Sequence, residues 1–312
     1  MDQLPKPEII VTHDGDLDGL LSGMLLQKLS GVLYGEEVRL LGYQTQAWHS
    51  RCLRENAAWV SDMAFEERMD RINWVIVDHH ITSATPKKAR LVHDESKSAC
   101  MLAYELCKDH GLQSESLDRL VELANIGDLF LHESPDFEMA NDYGSLVKTY
   151  GFWNVYSIVD GNPEKLLDHP LLEVMKVKRE VEDPMGLKWS RKNIQEILPE
   201  VGLVKTVVGN SNVILNQLLR EESQPYKLLL MLNRIGNNQF MVSLRSTNGE
   251  ALRMAKQLQG GGHANASGAA LPKSVQRVAD AVDYLKTALN PISHSEDILP
   301  NDLESLFDSA KI

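Results

Sequence analysis

Three apolar segments in the first eighty residues constrain the fold of this chain more than any other feature. EIIVTH, AAWVS and WVIVDHH each contain a run of apolar residues about as long as a β-strand, and helical patterns such as DLDGLLSGMLLQKLSG lie between and after them. Strands with little polar alternation are typical of a mostly parallel sheet that helices cover on both faces. We therefore predict an α/β fold with a mostly parallel, doubly wound sheet in the first half of the chain.

Side chains that can bind metal follow each of these apolar runs. Because ligands of open parallel sheets bind beyond the carboxyl ends of the strands, we expect these side chains to meet at one edge. Asp128, at the end of the apolar helical segment LANIGDLF, is a further candidate. The residues that follow the three strands are His13, Asp14, Asp16, Asp18, Asp62, Asp78, His79 and His80.

The segment VTHDGDLDG places three aspartates and one histidine within six consecutive positions. Like charges this close repel one another, so the crowding favours a site that also contains positive charge. Carboxylates combined with one or two histidines are ligands that suit Mn²⁺ or Mg²⁺. Structural zinc sites, in contrast, typically use thiolate ligands. The pattern therefore predicts divalent metal ions at this edge of the sheet.

The acidic residues also have simpler explanations, which stay open from the residue pattern alone. Asp16 and Asp18 could cap the helix that follows them and interact favourably with its dipole. Asp62 could be a turn residue, and the aspartate of LANIGDLF could be an ordinary acid at a helix end. The adjacent histidines after WVIVD have little structural use, so they favour a functional site. Other histidines, His132 among them, show no such context and are expected to be surface residues.

Composition limits the partners and the compartment. The net charge of −12 and the pI of about 5.3 argue against binding of long duplex DNA, because that needs a basic face. The sequence shows no signal-peptide pattern and no apolar run of about 18 residues, so we expect neither export nor a membrane span. Three scattered cysteines, Cys52, Cys100 and Cys107, are typical of reduced thiols, which predicts a cytoplasmic protein.

Four short motifs and one longer segment together resemble a known family. DGDLDG, SDMAF, VDHH and NIGDLF occur in the order and spacing of the four motifs of the DHH phosphoesterase superfamily. In the second half, MVSLRSTNGEALRMAKQLQGGGHANASGAAL resembles the core of DHHA1, an accessory domain found in part of this superfamily. The resemblance implies a catalytic α/β domain followed by a smaller α/β domain that binds substrate.

The resemblance also suggests where the domains begin and end. We expect a DHH-type catalytic, metal-binding domain over residues 1–180 and a DHHA1-type substrate-binding domain over residues 205–290. The charged segment 181–204, which contains Pro184, is expected to connect them. Residues 291–312 are expected to form an acidic C-terminal tail.

The metal site that the resemblance implies holds two divalent ions, with Mn²⁺ expected first and Mg²⁺ or Co²⁺ as alternatives. One ion would be held by Asp16 and Asp62. The ligands of the other would be Asp18, Asp62, His79 and Asp128. In this arrangement Asp62 bridges the two ions.

Two details of this implied site stay open. Many members have a histidine four residues before the first ligand aspartate, but Thr12 stands at that position here. Either His13 or Asp14 would then complete the coordination of the first ion. The resemblance further implies catalytic roles for His80, as a contact to the substrate phosphate, and for Asp78, which would orient a histidine and set its tautomer.

Substrate recognition is expected to depend on the second domain. Glycines let the backbone approach an anion closely, and GGGHANASG therefore suggests a phosphate-binding loop that includes Gly261, Gly262 and His263. Arg245, in VSLRS, can make a bidentate contact with a phosphate. The alternative for the glycine-rich segment is a flexible turn.

These features together predict hydrolysis of short oligonucleotides or dinucleotides to mononucleotides by two-metal activation of water. A phosphorylated mononucleotide is another expected substrate, and a homodimer is left open. The alternatives are a pyrophosphatase or polyphosphatase, a phosphoadenosine-phosphate phosphatase, a cyclic-dinucleotide hydrolase, and a nucleotide-binding protein without catalysis. The complete set of expected metal ligands argues against the last of these.

Overall fold

The computed structural model describes residues 4–204, 208–221, 223–235 and 239–290. These residues form two compact units. The first contains the described residues up to Gly186 together with Val208–Asn210, and the second contains the other described residues from Leu187 onward.

The first unit is built on a sheet of five parallel strands. They are β1 (Ile9–His13), β2 (Leu40–Tyr43), β3 (Ala58–Ser61), β4 (Trp74–Asp78) and β5 (Arg90–His93). Their order across the sheet is β2-β1-β3-β4-β5, and every neighbouring pair is parallel. The direction of winding therefore reverses between β1 and β3. Such a reversal is the switch point at which open α/β sheets bind their ligands.

Both faces of this sheet are buried. Ile10 and Trp59 pack into one core, whereas their chain neighbours Val11 and Val60 pack into a second core that contains Trp48. Because successive strand residues point to opposite faces, the apolar runs supply both cores at once. The predicted doubly wound α/β fold is thereby confirmed. The helices that accompany the sheet are α1 (Leu17–Tyr34), α2 (Thr45–Ser50), α3 (Ala99–Lys108), α4 (Glu115–Asp128), α5 (Phe137–Tyr150), α6 (Phe152–Ile158) and α7 (Leu171–Lys192).

The second unit contains a mixed six-stranded sheet. Its strands are β6 (Gln195–Leu198), β7 (Val201–Val204), β8 (Leu228–Ile235), β9 (Gln239–Ser246), β10 (Gly261–His263) and β11 (Ala266–Ala270). Its helices are α8 (Ser211–Arg220), α9 (Glu250–Gln257) and α10 (Val278–Leu289). The strand order is β10-β11-β9-β8-β7-β6, and within this sheet, as far as the structure describes it, the β7–β8 pair is parallel and the other pairs are antiparallel. This unit is the second α/β domain that the sequence predicts.

The residues of the expected connector, 181–204, do not form a separate linker. Helix α7 continues through Pro184 to Lys192, and residues 195–204 supply strands β6 and β7 of the second sheet. These two strands have four residues each, and their residue pattern is too short to separate a strand from an extended linker. The expected tail, 291–312, lies outside the described residues.

Across the described ranges, we find no helix whose length and apolar content suit it to span a membrane.

Candidate metal centre

The carboxyl ends of β1, β3 and β4 bring the expected metal-binding side chains of the first unit together. Three neighbouring clusters form there, two of which share Asp62, and the candidate ligand atoms of each lie within 4.8 Å of one another. The clusters are His13–Asp16–Asp62, Asp18–His79–Asp128 and Asp62–Asp78–His80. The sequence motifs therefore converge on one edge of the sheet, next to the switch point between β1 and β3.

Asp62 lies between two imidazoles. Its Oδ2 atom is 3.5 Å from Nδ1 of His13, and its Oδ1 atom is 3.7 Å from Nε2 of His79. The two oxygens of one buried carboxylate thus face two different clusters. This is the position that a bridging ligand between two ions requires.

The backbone at Asp62 is strained. Its φ of 53° lies in the left-handed region, which residues other than glycine adopt only at a cost. The residue follows β3 directly, and its N–H donates to the carbonyl of Val77 in β4 at 3.0 Å. Strain that the surrounding structure holds in place is typical of functional sites. Here it accompanies the carboxylate that lies between His13 and His79.

Asp16 both caps α1 and takes part in the first cluster. Its Oδ1 atom accepts a hydrogen bond from the N–H of Gly19 at 3.1 Å, which is the usual role of an N-cap aspartate. Its Oδ2 atom is 3.2 Å from Nδ1 of His13. The capping role that the sequence left open is therefore real, and it leaves one carboxylate oxygen to the cluster.

The carboxylate of Asp18 is held by the start of another helix. The backbone N–H groups of Ala99 and Cys100, in the first turn of α3, donate to its Oδ2 and Oδ1 atoms at 2.9 and 2.7 Å. Backbone donors at a helix N-terminus favour a negative charge. Asp18 is 2% exposed, and its Oδ2 lies 3.8 Å from Nε2 of His79. The third member, Asp128, places its Oδ2 3.3 Å from the same nitrogen.

Asp78 is hydrogen-bonded to His80, the next histidine but one in the same motif. The Asp78 carboxylate lies 2.7 Å from Nδ1 of His80 and also accepts the backbone N–H of His80 at 3.3 Å. A carboxylate in this position requires the proton on Nδ1, which directs the Nε2 atom toward other groups. His93, at the end of β5, donates from Nε2 to the carbonyl of His80 at 2.9 Å. His80 is thus held through its side chain and its backbone.

Thr12 connects β1 to its neighbours through hydrogen bonds. Its buried hydroxyl donates to the carbonyl of Gly19 at 2.6 Å and accepts from the Ser61 hydroxyl at 3.0 Å. Ser22 donates in turn to Ser61 at 3.0 Å. These hydroxyls connect β1 and β3 to α1, just beneath the residues that form the clusters.

Glycine at position 19 lets α1 begin against β1. A Cβ atom at Gly19 would lie 2.0 Å from the carbonyl oxygen of His13 and 3.1 Å from Oδ2 of Asp62. Neither the backbone of β1 nor the carboxylate of Asp62 can move without disturbing the clusters. The site therefore requires a residue without a side chain at position 19.

We expect Gly19→Ala to destabilise the protein by about 1–3 kcal/mol, since overpacking against backbone atoms forces the helix away from the strand. The measurement is chemical denaturation, together with metal binding by calorimetry. Gly144→Ala is the matched control, because Gly144 lies inside α5 and no described atom is within 4 Å of a Cβ placed there. That change is expected to be neutral or to stabilise by about 0.5–1 kcal/mol. Equal stability of the two variants would contradict the steric argument.

The charges of the clusters shift the pKa values of both histidines upward. Burial by itself lowers the pKa of His13, but hydrogen bonds and charges from Asp16 and Asp62 outweigh it and raise the pKa to about 11. For His79, burial is again outweighed, by the carboxylates around it, and the pKa rises to about 10. Both imidazoles therefore carry a proton at neutral pH when no other cation is present.

The carboxylates respond in opposite directions. Burial raises the pKa of Asp62, but hydrogen bonds from His13 and His79 outweigh burial and hold the pKa well below its usual range. Burial together with the charge of Asp62 raises the pKa of Asp128 to about 7, despite the opposing effect of His79. The cluster therefore lacks enough positive charge to balance all of its carboxylates.

Two buried carboxylate oxygens show that the residues present fit divalent cations. Among the described residues, Oδ2 of Asp62 and Oδ2 of Asp128 are buried and accept no hydrogen bond of good geometry, although Nδ1 of His13 lies 3.5 Å from the first and Nε2 of His79 lies 3.3 Å from the second. Buried acceptors are nearly always well satisfied, so these two oxygens can still take a further positive partner. Aspartates with two histidines are a donor set suited to Mn²⁺ or Mg²⁺.

We expect metal binding to release at least two protons at pH 7.5, because His13 and His79 must lose their protons to become ligands, and burial also raises the pKa of the candidate ligands Asp18 and Asp128. The apparent affinity should therefore fall as the pH is lowered. The measurement is calorimetric titration with Mn²⁺ in buffers of different ionisation enthalpy. His13→Gln should reduce the number of protons released by about one. Binding without proton release in any buffer would show that the histidines do not act as ligands.

Asp14 lies away from the clusters. The side-chain amide of Gln44 donates to its carboxylate, and its Cβ atom lies beside Gly42 of β2. In the described part of the chain it joins none of the three clusters, whereas His13 joins the first. Of the two residues that the sequence leaves open for the first ion, the geometry favours His13.

In the second unit, the expected substrate-binding residues lie on neighbouring strands. Ala266 of β11 pairs with His263 on one side and with Arg245 of β9 on the other. Residues directly opposite each other share a face of the sheet, so His263 and Arg245 lie on the same face, about 10 Å apart. Nε of Arg245 is buried, and no described residue accepts a hydrogen bond from it.

The glycines beside His263 differ in their structural demands. Gly262 has a φ of 129°, and a Cβ atom there would lie 2.6 Å from the carbonyl oxygen of Ala266, so only glycine fits. At Gly261, no described atom lies within 4 Å of such a Cβ, so its backbone is open to a ligand. The glycine-rich segment is a tight β-hairpin, in which β10 and the start of β11 pair across a turn at residues 264–265.

Several solved structures have a fold similar to that of this chain. No family model and no curated protein sequence matches the chain. A solved pGpG-specific phosphodiesterase, PggH from Vibrio cholerae, aligns at 13% identity with a TM-score of 0.53, over 90% of this chain and 98% of that one. RecJ from Thermus thermophilus, solved with Mn²⁺, aligns at 16% identity with a TM-score of 0.50, over 89% of this chain and 52% of RecJ.

A third structure agrees with these two. The DHH domain of a member of the s1p family of ribosomal proteins aligns at 16% identity with a TM-score of 0.52, over 91% of this chain and 87% of that one. The chain therefore shares its fold with these three structures, one of which is a DHH domain, the kind of domain that its motifs resemble.

Some residues around the site could not be found from their pattern. Thr12, Ser22 and Ser61 are ordinary small polar residues in the sequence, and only the packing of β1, β3 and α1 brings their hydroxyls together. His93 stands at the end of a short apolar run, RLVH, just as the candidate metal ligands follow the other apolar runs. Its position after a strand could therefore have identified it from the sequence.

Proposed function

We propose that this protein is a metal-dependent phosphodiesterase that hydrolyses dinucleotides or short oligonucleotides to mononucleotides. The observation that carries the proposal is the position of Asp62, whose two oxygens face His13 and His79 in separate clusters. One carboxylate between two groups of ligands is the arrangement expected for a pair of divalent ions.

When bound, such ions activate a water molecule near neutral pH and stabilise charge on the phosphoryl oxygens. Asp62 would bridge them. The first would be held by His13 and Asp16, and the second by Asp18, His79 and Asp128. Cap and backbone hydrogen bonds fix Asp16 and Asp18 before any metal arrives, so the ligands need little rearrangement.

His80 is proposed to contact the phosphate of the substrate. Burial lowers the pKa of His80, but the hydrogen bond and charge of Asp78 outweigh it, so the pKa is raised and the protonated form is favoured. With Nδ1 bound to Asp78, a protonated imidazole can donate from Nε2 to a phosphoryl oxygen. Asp78 would act through His80 by fixing the orientation of its ring.

The second unit is proposed to recognise a terminal phosphate. Arg245 and His263 share a face of its sheet, and Gly261 leaves open backbone beside them. Burial lowers the pKa of Arg245 to about 10, which still leaves the guanidinium charged at neutral pH. A charged group with an unused buried N–H suits an anion such as phosphate.

The comparisons support a short nucleotide as substrate. One of the aligned proteins is a pGpG-specific phosphodiesterase, and it and this chain match over nearly their full lengths. All three cysteines are free, which agrees with a reducing compartment, and we propose that the enzyme acts in the cytoplasm. The homodimer remains a prediction.

A substrate panel tests the proposal. Purified protein with Mn²⁺ would be given a linear dinucleotide, a cyclic dinucleotide, phosphoadenosine phosphate and pyrophosphate, and products would be separated by chromatography. We expect mononucleotides from the linear dinucleotide at the highest kcat/KM. Faster hydrolysis of pyrophosphate would instead assign the site to the pyrophosphatase alternative.

We expect a chelator to abolish this activity and Mn²⁺ to restore it more fully than Mg²⁺ or Co²⁺, because mixed carboxylate and imidazole ligands suit Mn²⁺. The measurement is the initial rate on the dinucleotide after dialysis against EDTA and addition of each ion. Elemental analysis serves as the control for residual metal. Full activity in excess chelator, with no metal detected, would exclude the metal mechanism.

A further inference from the structure

Helix α4 ends immediately after Asp128 in an unusual way. The N–H groups of Phe130 and Leu131 donate to the carbonyls of Gly127 and Ile126, at 3.4 and 2.9 Å. This is the hydrogen-bond pattern of a Schellman motif, which places the residue at the Phe130 position in the left-handed region. Phe130 has a φ of 53°. Glycine is the usual residue there, and an aromatic side chain is a genuine outlier.

The ring of Phe130 belongs to a group of three. The rings of Phe130 and His132 lie nearly parallel, 28° apart, with centroids separated by 6.1 Å. The ring of Phe137 stands at 84° to Phe130 and at 85° to His132, with centroid distances of 4.9 and 6.5 Å. A separation of 6.1 Å is too large for face-to-face contact, so Phe130 and His132 lie offset from each other.

Phe130 and His132 together form what we call the aromatic floor, and both rings are held by neighbouring residues while staying partly exposed to solvent. Phe137 packs against the main core of the first unit, and His132 is held through Nε2 by Glu133 at 2.8 Å. Phe130 and the side chain of His132 remain partly exposed, and Leu131 between them is 43% exposed. His132 is therefore more than the ordinary surface residue that the sequence predicts.

Phe130 also lies close to the metal centre along the chain. It is two residues beyond Asp128, so the Cα atoms of the two residues are at most about 7 Å apart. That separation is short enough for one dinucleotide to reach both residues. Stacking on an aromatic face is how proteins hold bases without reading their sequence.

We propose that Phe130, with His132 beside it, is a stacking platform for a nucleobase that flanks the scissile phosphate. This proposal rests on the proposed function and adds a specificity determinant to it. A role for the ring would account for an aromatic residue at a left-handed position where glycine is usual.

The test compares two substrates that differ only in their bases. They are the 5′-phosphorylated adenosine dinucleotide and the same phosphodiester with both bases removed. We expect Phe130→Ala and Phe130→Leu to lower kcat/KM for the dinucleotide roughly five- to a hundredfold, and to change the base-free compound less than about twofold. Phe130→Trp should keep most of the preference. Trp153→Leu, an exposed aromatic on α6, is the matched control and should change neither rate.

Two further measurements separate stacking from packing. A dinucleotide that contains 2-aminopurine should lose fluorescence on binding to the wild-type protein and not on binding to Phe130→Leu. Phe130→Gly should unfold at a higher temperature than Phe130→Ala, since glycine relieves the left-handed strain while both lose the ring.

The outcomes distinguish this proposal from the one it rests on. If the wild-type protein hydrolyses neither compound, the proposed function is wrong, and so is the stacking role of Phe130 that rests on it. If it hydrolyses both and Phe130→Leu slows both equally, the ring supports the structure only, and the platform alone is overturned. Loss of the preference for the compound with bases supports the platform.

Discussion

Replacing Asp62 with alanine is expected to remove about three orders of magnitude or more from kcat on a dinucleotide. Asp62 faces both His13 and His79, so its loss disturbs both clusters at once. Metal ions supply several kcal/mol of charge stabilisation in phosphoryl chemistry, and about 1.4 kcal/mol corresponds to a factor of ten. Rates would be measured together with metal content by elemental analysis.

Two aspartate variants give this prediction its comparison. Asp16→Ala should cost no more than Asp62→Ala, because Asp16 contributes one oxygen to one cluster and its other oxygen to the helix cap. Asp14→Ala should stay near wild type, since Asp14 lies beside Gly42 and Gln44 instead. Near-normal turnover of Asp62→Ala would refute its bridging role. A large loss of activity from Asp14→Ala would instead indicate that Asp14 is a ligand of the first ion.

The second large effect is a division of labour between the two units. We expect His263→Ala and Arg245→Ala to lower kcat/KM for dinucleotides about ten- to a hundredfold, since each removes a charge-assisted hydrogen bond worth roughly 1.5–3 kcal/mol. Both variants should retain much of the slow hydrolysis of bis-p-nitrophenyl phosphate, which has no terminal phosphate to recognise. Asp18→Ala and His79→Ala should lose both activities together.

The measurement is a two-substrate comparison of these four variants, with metal content determined for each. The three candidate clusters around Asp62 and His79 belong to the first unit, whereas Arg245 and His263 share a face of the second sheet. The two pairs of variants should therefore separate cleanly. If His263→Ala abolished both activities and also emptied the metal site, His263 would belong to the metal centre and the division would be wrong.

The sequence by itself determined the class of fold and the residue types that meet at one edge of the first sheet. Unbroken apolar runs such as WVIV that alternate with helical patterns favour a parallel sheet buried on both faces, and the carboxyl ends of parallel strands meet at one edge. Aspartates and histidines placed directly after those runs therefore had to converge. Local periodicity and strand order are enough for these conclusions, because they need no knowledge of which side chains touch.

The choice between adjacent residues required the tertiary structure. His13 and Asp14 are neighbours at the end of β1, and strand order places β2 on one side and β3 on the other. Asp14 turns toward β2 and His13 toward Asp62 after β3. A sequence pattern records the spacing of residues along one strand but not which neighbouring strand each side chain meets. For the same reason, the sequence does not reveal the hydrogen-bonded hydroxyls around Thr12 or the packed aromatic rings around Phe130, because both depend on contacts between separate elements.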